Sequence, residues 1–325
     1  MLGLAGLPLG LRFRFLDPSP DAPAAEVGEL VVGAYDDPAA LARLAAGAAV
    51  VTYEFENVPV EAIRGIAPLP PALALELGQD RLVEKRLFRR LSIPTARFGP
   101  LAETGLPALV KSRRLGYDGK GQRRVEVDGP VGGDELAEEI VAFGRELSII
   151  AVRGRDGETR FWPLAENVHR NGVLRVSRAP AAAAPQAEAE LLVGRLLDEL
   201  GYVGVLALEL FDVEGRLLAN EFAPRVHNTG HWTIDGAVTS QFENHLRAIL
   251  GLPLGSTEAV AASVMVNLIG GAPPPEQLLR LPGAHLHLYG KEPRPGRKLG
   301  HLTLVGAEAK TVAEAVAIVE AAADG

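Results

Sequence analysis

Over the first seventy-odd residues, short apolar runs bounded by turn residues alternate with segments of helical periodicity. Residues 11–16 read as a strand closed by the turn-forming Asp17-Pro-Ser-Pro20, residues 29–33 as a second strand, and residues 49–55 as a buried third. Between them, residues 38–47 form an Ala/Leu-rich helical pattern opened by Asp36-Asp37-Pro38. Residues 59–66 form another, again with proline near the first turn, where its missing N–H costs no hydrogen bond. This alternation implies a parallel sheet covered on both faces.

A Pro-rich connector at residues 68–74 separates this region from a charged amphipathic helix, residues 79–91. Its pattern puts Leu82, Leu87 and Leu91 on one face and Arg, Glu and Lys on the other. Residues 108–131 read as a hairpin around the loop Arg113-Arg-Leu-Gly-Tyr-Asp-Gly-Lys-Gly121, and residues 134–142 as a helix. Strands at 146–152 and 160–163 pair across Gly154-Arg-Asp-Gly157, and a long helix spans 181–200. A second hairpin joins 202–211 to 216–222, a helix covers 237–250, and short strands precede a last helix at 311–323. There is no internal repeat. The pattern is mixed α/β and α+β, in units at residues 1–75, 76–255 (with a mobile part at about 95–150) and 256–325.

Composition narrows the chemistry. The chain has 325 residues, 47% apolar and 23% charged, so it is long enough for more than one packed core. A net charge of −8 excludes nucleic-acid binding by a general positive field, so any anion must be held by a local cluster. The absence of cysteine excludes disulfides, thiolate metal sites and cysteine catalysis, and fits a reducing, cytoplasmic setting. No apolar run reaches the roughly 18–20 residues of a membrane helix. The apolar start, residues 1–11, has no charged segment before it and reads as part of a folded domain.

Two acids interrupt otherwise apolar strands: Glu209 in Val205-Leu-Ala-Leu-Glu-Leu-Phe211 and Glu221 in Leu217-Leu-Ala-Asn-Glu-Phe222. A turn centred on Gly215 pairs Val213 with Leu217, and so Glu209 with Glu221. Facing carboxylates repel by about 0.2–1 kcal/mol even when exposed. A hard cation such as Mg²⁺, shared with substrate phosphates, removes the conflict. The alternative, that one acid faces solvent or pairs with an arginine such as Arg225, stays open. The next segment packs Arg225, His227, Asn228 and His231 into seven positions, a density suited to holding a small anion. The two histidines are spaced as a helical zinc pair, but Thr229-Gly230 between them argues against a helix. The glycine loop from Lys111 to Gly121 and the segment from Tyr289 to His301 are both rich in cations. Four of the chain's six lysines fall in these two segments, which sets them apart from a merely solvated basic surface.

These segments together resemble the ATP-grasp ligases, and within them the N5-carboxyaminoimidazole ribonucleotide synthetases, the ATPase subunits of phosphoribosylaminoimidazole carboxylase. The likeness is carried by Val51-Thr-Tyr-Glu-Phe-Glu-Asn-Val-Pro59, Gln79-Asp-Arg-Leu82, Gly116-Tyr-Asp-Gly-Lys-Gly121, Arg145-Glu-Leu-Ser148 and Glu166-Asn-Val-His-Arg-Asn-Gly172. It continues through residues 220–233 and 289–301, in family order.

The resemblance implies an amino-terminal pre-ATP-grasp domain, an ATP-grasp domain and a small β-rich carboxy-terminal domain. It implies ATP and Mg²⁺, with Arg81 and Lys111 toward the phosphates, and backbone groups of residues 138–141 (Glu138, Glu139, Val141) toward adenine. Glu146 is expected at the ribose, and Glu209 and Glu221 at the metal. Arg225, His227 and Asn228 match residues around bicarbonate and the transferred phosphoryl group. Tyr117, Asp118, Lys120, Lys291, Arg297 and Lys298 match the aminoimidazole ribonucleotide site, Asp118 meeting the exocyclic amine. The implied reaction is ATP- and bicarbonate-dependent carboxylation of that ribonucleotide in purine biosynthesis by a cytoplasmic homodimer, with no nucleic-acid or membrane partner. The family opens with a strand and a Gly-Gly-Gly-Gln-Leu-Gly-type loop, and Met1-Leu2 matches the helix after it. A first sheet short of one strand is therefore expected. Two alternatives stay open: a catalytically silent nucleotide-binding protein or scaffold, and a sibling ligase with another acyl acceptor.

Overall fold

The computed structural model describes residues 1–116, 121–127 and 129–323. In the amino-terminal region, strand Arg14–Asp17 runs parallel to strand Glu29–Val32, with Phe15 opposite Leu30, and these two strands form a sheet of their own. Helix Pro38–Ala45 starts where the Asp37 carboxylate accepts the Ala39 N–H at 2.8 Å. Residues 49–55, read from sequence as a strand, join no sheet. There the Val51 carbonyl accepts a hydrogen bond from Leu69 of the connector, and Tyr53 packs with Leu41, Val58, Ile63 and Leu75. Of this run only Tyr53 is buried, against helices and not neighbouring strands, while Ala49, Glu54 and Phe55 are exposed, so neither the strand nor its burial is found.

The centre of the molecule is a nine-stranded antiparallel sheet. Its order is Arg216–Ala223, Gly204–Val213, Arg145–Arg153, Ala165–Arg170, Val173–Ala179, Ser263–Ile269, Lys298–Val305 and Ala284–Leu288, with Thr159–Phe161 paired to Arg145–Arg153. Alternate residues feed two cores. Leu206, Leu208, Leu147 and Ile149 pack under helix Gln186–Glu199. Val205, Ala207, Ile150 and Val152 pack with Trp162, Trp232 and helix Gln241–Leu250. A third cluster lies under the last helix, Ala309–Ala323, against the strands from Ser263 onward. Among the described residues no helix is long and apolar enough to cross a membrane.

A smaller sheet has the order Phe98–Gly99, Glu135–Glu139, Ala108–Ser112, Gln122–Val125, and the loop after its third strand in that order lines one cleft with the large sheet. The second strand of this smaller sheet corrects the helix expected at residues 134–142. Glu135-Leu-Ala-Glu-Glu consists of helix formers, but so short a piece gains little alone. Flanked by two strands, with Val110 opposite Ala137, it buries Leu136, Ala137 and Glu138. The charged helix, Arg81–Arg90, departs from expectation differently: Glu84 and Lys85 lie buried beside Leu87 and Phe88.

Candidate active site

The hairpin of the two acids turns more tightly than the sequence suggests. Val213 pairs with Arg216 across Glu214 and Gly215, whose φ values of +53° and +84° suit a two-residue turn. An unbroken ladder from that turn would set Asn220, not Glu221, opposite Glu209. The ladder instead breaks between Leu210↔Ala219 and Leu208↔Phe222, so Glu209 alone stands against Asn220 and Glu221. This β-bulge turns Glu221 onto the face of Glu209. The juxtaposition expected from sequence therefore forms by a different register. On the adjoining strands the same face carries Ser148 opposite Glu209 and Asn167 opposite Glu146. The face changes along its strands from apolar core (Val205, Ala207, Ile150, Val152) to polar site.

Charge around the pair is unevenly distributed. Burial first, and then the charge of Glu221, push Glu209 up to about 8. Burial acts on Glu221 in the same sense, but the Arg81 guanidinium, 2.6 Å away, overrides it and brings Glu221 down to about 2. Arg225, the partner offered by the sequence, instead bonds Glu56 at 2.7 Å. Glu84 lines the same cleft, accepts the Phe222 N–H at 2.7 Å, and is raised to about 8 by burial and then by Glu221. His227 is buried; that burial, and then Arg225, take it down to about 3, so it is neutral. Its Nδ1 accepts the Thr229 N–H at 3.4 Å, leaving the N–H on Nε2, which lies 3.3 Å from Glu209 Oε1. His231 Nδ1 lies 3.0 Å from the Asn228 carbonyl, and neither His227 nor His231 belongs to the metal-capable group found among the described residues, Asp235, His287 and His301. Asn228 Oδ1 receives Lys298 Nζ, and also Asn267 Nδ2 at 3.3 Å. The cleft is lined by Arg81, Arg113, Glu209, Glu221, Arg225 and His227 among others.

With this geometry in view, the comparisons with known proteins are specific. Residues 1–79 match the ribonucleotide synthetase preATP-grasp domain, 99–242 the ATP-grasp domain and 263–315 the phosphoribosylaminoimidazole carboxylase C-terminal domain. The N5-carboxyaminoimidazole ribonucleotide synthase of Pseudomonas aeruginosa is 49% identical, covering 99% of this chain and 95% of that protein. The chain belongs to the N5-carboxyaminoimidazole ribonucleotide synthase family. The crystal structure of the synthetase from Thermus thermophilus is 53% identical with a TM-score of 0.93, covering 100% of this chain and 96% of that one. The Aspergillus clavatus synthase, crystallised with ADP and 5-aminoimidazole ribonucleotide, is 29% identical with a TM-score of 0.88 over 99% of this chain and 95% of its own.

Against the roles that likeness to the synthase family implies, the described residues divide into groups. Arg81, Glu209, Glu221, Arg225 and His227 meet at one cleft. Lys111 is held 3.0 Å from Glu138, which also faces buried Lys85 at 3.4 Å. The side chain of Glu138 is thus committed inside the protein, and that of Glu139 is taken by Arg97 at 2.6 Å. Among residues 138–141, these two acids leave only their backbone for a ligand. Glu146 bonds His169, whose pKa burial would lower but which that carboxylate raises. Arg297 donates to the Glu292 carbonyl at 3.2 Å, while Lys291 and Lys298 both approach Tyr289. Tyr117, Asp118 and Lys120 lie outside the described residues. Sequence reasoning missed roles for Glu56, Glu84, His169 and Tyr289. Glu56, His169 and Tyr289 sit inside the stretches that carry the family likeness, and position within those stretches was the available signal. Glu84 gave none, because an acid on a charged helix reads as solvated.

Proposed function

We propose that the protein is an ATP- and Mg²⁺-dependent ligase that carboxylates 5-aminoimidazole ribonucleotide with bicarbonate, giving N5-carboxyaminoimidazole ribonucleotide for purine biosynthesis. The observation that carries this reading is the Glu209–Glu221 bulge, with Arg81 on Glu221 and neutral His227 on Glu209, in a chain whose whole length matches that family. Two acids forced together, one of them pushed toward its protonated form, suit a divalent cation. Mg²⁺ bound there supplies positive charge to the phosphate oxygens of ATP.

The protein's own groups divide the remaining work. Arg81 and Lys111 draw the phosphates in, and backbone groups at 138–141 take the adenine. Glu146, oriented by His169, takes the ribose hydroxyls. Arg225, steadied by Glu56, holds bicarbonate as its oxygen attacks the γ-phosphorus and the bond to the ADP oxygen breaks. Fixed N–H donors from Arg225 and His227 meet charge on the carboxyphosphate that results. The ribonucleotide amine then attacks the carboxyl carbon, phosphate leaves, and the amine proton passes to a nearby base. Lys291, Arg297 and Lys298 bind the ribonucleotide's phosphate, and the units at residues 1–75, 76–255 and 256–325 wall the site against water.

A coupled assay of ADP release tests the reading. Turnover is expected only with ATP, Mg²⁺, bicarbonate and aminoimidazole ribonucleotide together, and EDTA is expected to abolish it. Stimulation by glycinamide ribonucleotide in place of aminoimidazole ribonucleotide would assign a different acyl acceptor.

A further inference from the structure

The carboxy-terminal strands carry a polar chain that the reaction above leaves unused. His287, on strand Ala284–Leu288, stands directly opposite His301 on strand Lys298–Val305. Their rings stack with centroids 4.5 Å apart and planes 14° from parallel. His287 Nε2 lies 2.8 Å from Asp235 Oδ2 on the short helix Thr233–Gly236. His301 is fully buried and meets the Tyr289 hydroxyl with Nδ1 at 2.6 Å, while its Nε2 has no hydrogen-bond partner. Ligand atoms of Asp235, His287 and His301 lie within 4.8 Å of one another, close enough to suggest a metal. However, nearly parallel imidazoles aim their lone pairs along separate planes rather than at one point, so the group is shaped as a brace and not a chelate.

What the brace holds is Tyr289. Burial keeps its hydroxyl well above the ordinary phenol range, and burial, Lys298 and His287 bring His301 down to about 2, so both partners of the 2.6 Å contact are neutral. Lys298 Nζ lies 5.5 Å and Lys291 Nζ 5.9 Å from the centre of the Tyr289 ring, within the roughly 6 Å reach of cation–π attraction. Two ammonium groups on flexible stems repel each other and lose rotamer freedom when gathered at one site. An aromatic ring close to both, held at its hydroxyl by His301, offsets part of these costs before any ligand arrives, and Asn228 Oδ1 adds a second hold on Lys298.

We infer that Tyr289 is a positioning residue: its ring orients Lys291 and Lys298 for the anionic group of the ribonucleotide, and the His301–His287–Asp235 brace fixes that ring. The inference rests on the proposed function and concerns the same site. Steady-state kinetics of Tyr289→Leu and Tyr289→Phe test it, with aminoimidazole ribonucleotide and ATP varied separately. Loss of the ring in Tyr289→Leu is expected to raise KM for the ribonucleotide about tenfold and to leave KM for ATP within about twofold. Tyr289→Phe, which keeps the ring, is expected to restore KM for the ribonucleotide to within about threefold of the parent. Tyr289 is only half-buried, so the leucine variant is expected to fold; a melting curve checks this, and Tyr289→Met replaces it if it does not.

The inference is overturned if the ringless variant leaves KM for the ribonucleotide unmoved, if both KM values rise together, or if phenylalanine is as damaging as leucine. Parent protein without ribonucleotide-dependent turnover overturns the functional reading and this inference with it. Normal parent turnover beside an unaffected Tyr289→Leu overturns the inference alone.

Discussion

Two adjacent residues of helix Arg81–Arg90 lead into two differently built charge clusters. Lys85, fully buried, faces Glu138 at 3.4 Å and Thr95 Oγ1 at 3.0 Å, while Lys111 closes on the same carboxylate from 3.0 Å. Burial alone would raise the pKa of Glu138, but Lys85 and then Lys111 bring it down to about 2. In that cluster both ammonium groups meet the carboxylate at Oε2, while its buried Oε1 has no hydrogen-bond partner. Glu84, one residue earlier, faces the cleft of Glu209 and Glu221, where Arg81 acts on Glu84 and Glu221, Arg225 acts on Glu209, and Glu84 and Glu209 are still each raised to about 8. Its compensation is incomplete, and it opens to solvent through Glu221, whose side chain is 39% accessible. Buried charge that is balanced locally is architecture; buried charge left unbalanced beside an opening is a place for a cation and its anionic ligand.

The largest expected effect strikes the closed cluster. Lys85→Met strands a buried carboxylate beside its remaining partner Lys111, and is expected to cost about 3–5 kcal/mol of stability in urea unfolding. The folded fraction should keep kcat within about threefold, since Lys111 still meets Glu138. A small stability loss with a large kinetic one would dissolve the contrast between the clusters. Next in size is Glu221→Gln, expected to lower kcat by about 10²–10³, or about 2.7–4 kcal/mol. Stability there should shift by no more than ~1 kcal/mol, because relief of carboxylate repulsion offsets the lost ion pair with Arg81. Unchanged turnover in Glu221→Gln would remove that carboxylate from the metal site.

The same contrast explains how much is legible in the sequence. Glu209 and Glu221 stand out because each breaks an apolar strand of period two, an anomaly that local pattern exposes. The bulge that brings them together does not, since a register shift depends on the real turn at Glu214-Gly215 and on packing of Phe222 beyond it. Lys85 and Glu84 read as the solvent face of an amphipathic helix, because burial of a charge depends on partners contributed by Glu138 and Phe222, distant in sequence. Strand Glu135–Glu139 is hidden for a related reason: its helix-forming residues are held in a sheet by neighbours on both sides. Elements set by local periodicity are visible, and those imposed by tertiary partners are not.

The smallest expected effect distinguishes the clusters by pH. A carboxyl with a folded-state pKa of about 8 binds a proton in the native protein at pH values where the unfolded chain, near 4.3, has lost it. The native state then holds more protons, so stability present at low pH declines as pH rises toward 8. His227, lowered to about 3, works in the opposite sense, but only below the ordinary histidine value near 6.5. Between pH 6.5 and 8 the acids govern together with His169, which Glu146 raises and which therefore works in their sense, and at 1.36 kcal/mol per pH unit Glu209 contributes no more than about 2 kcal/mol. Metal-free protein is expected to lose a few degrees of melting temperature across that window, and Glu209→Gln to lose distinctly less. Mg²⁺ with ATP should flatten the parent curve, because a cation between the acids removes the reason to hold a proton. Glu138, down at about 2, adds no slope in this range. Parallel melting curves for the parent and Glu209→Gln from pH 6.5 to 8 would show that Glu209 carries no excess proton and that the cleft is as well compensated as the cluster around Lys85.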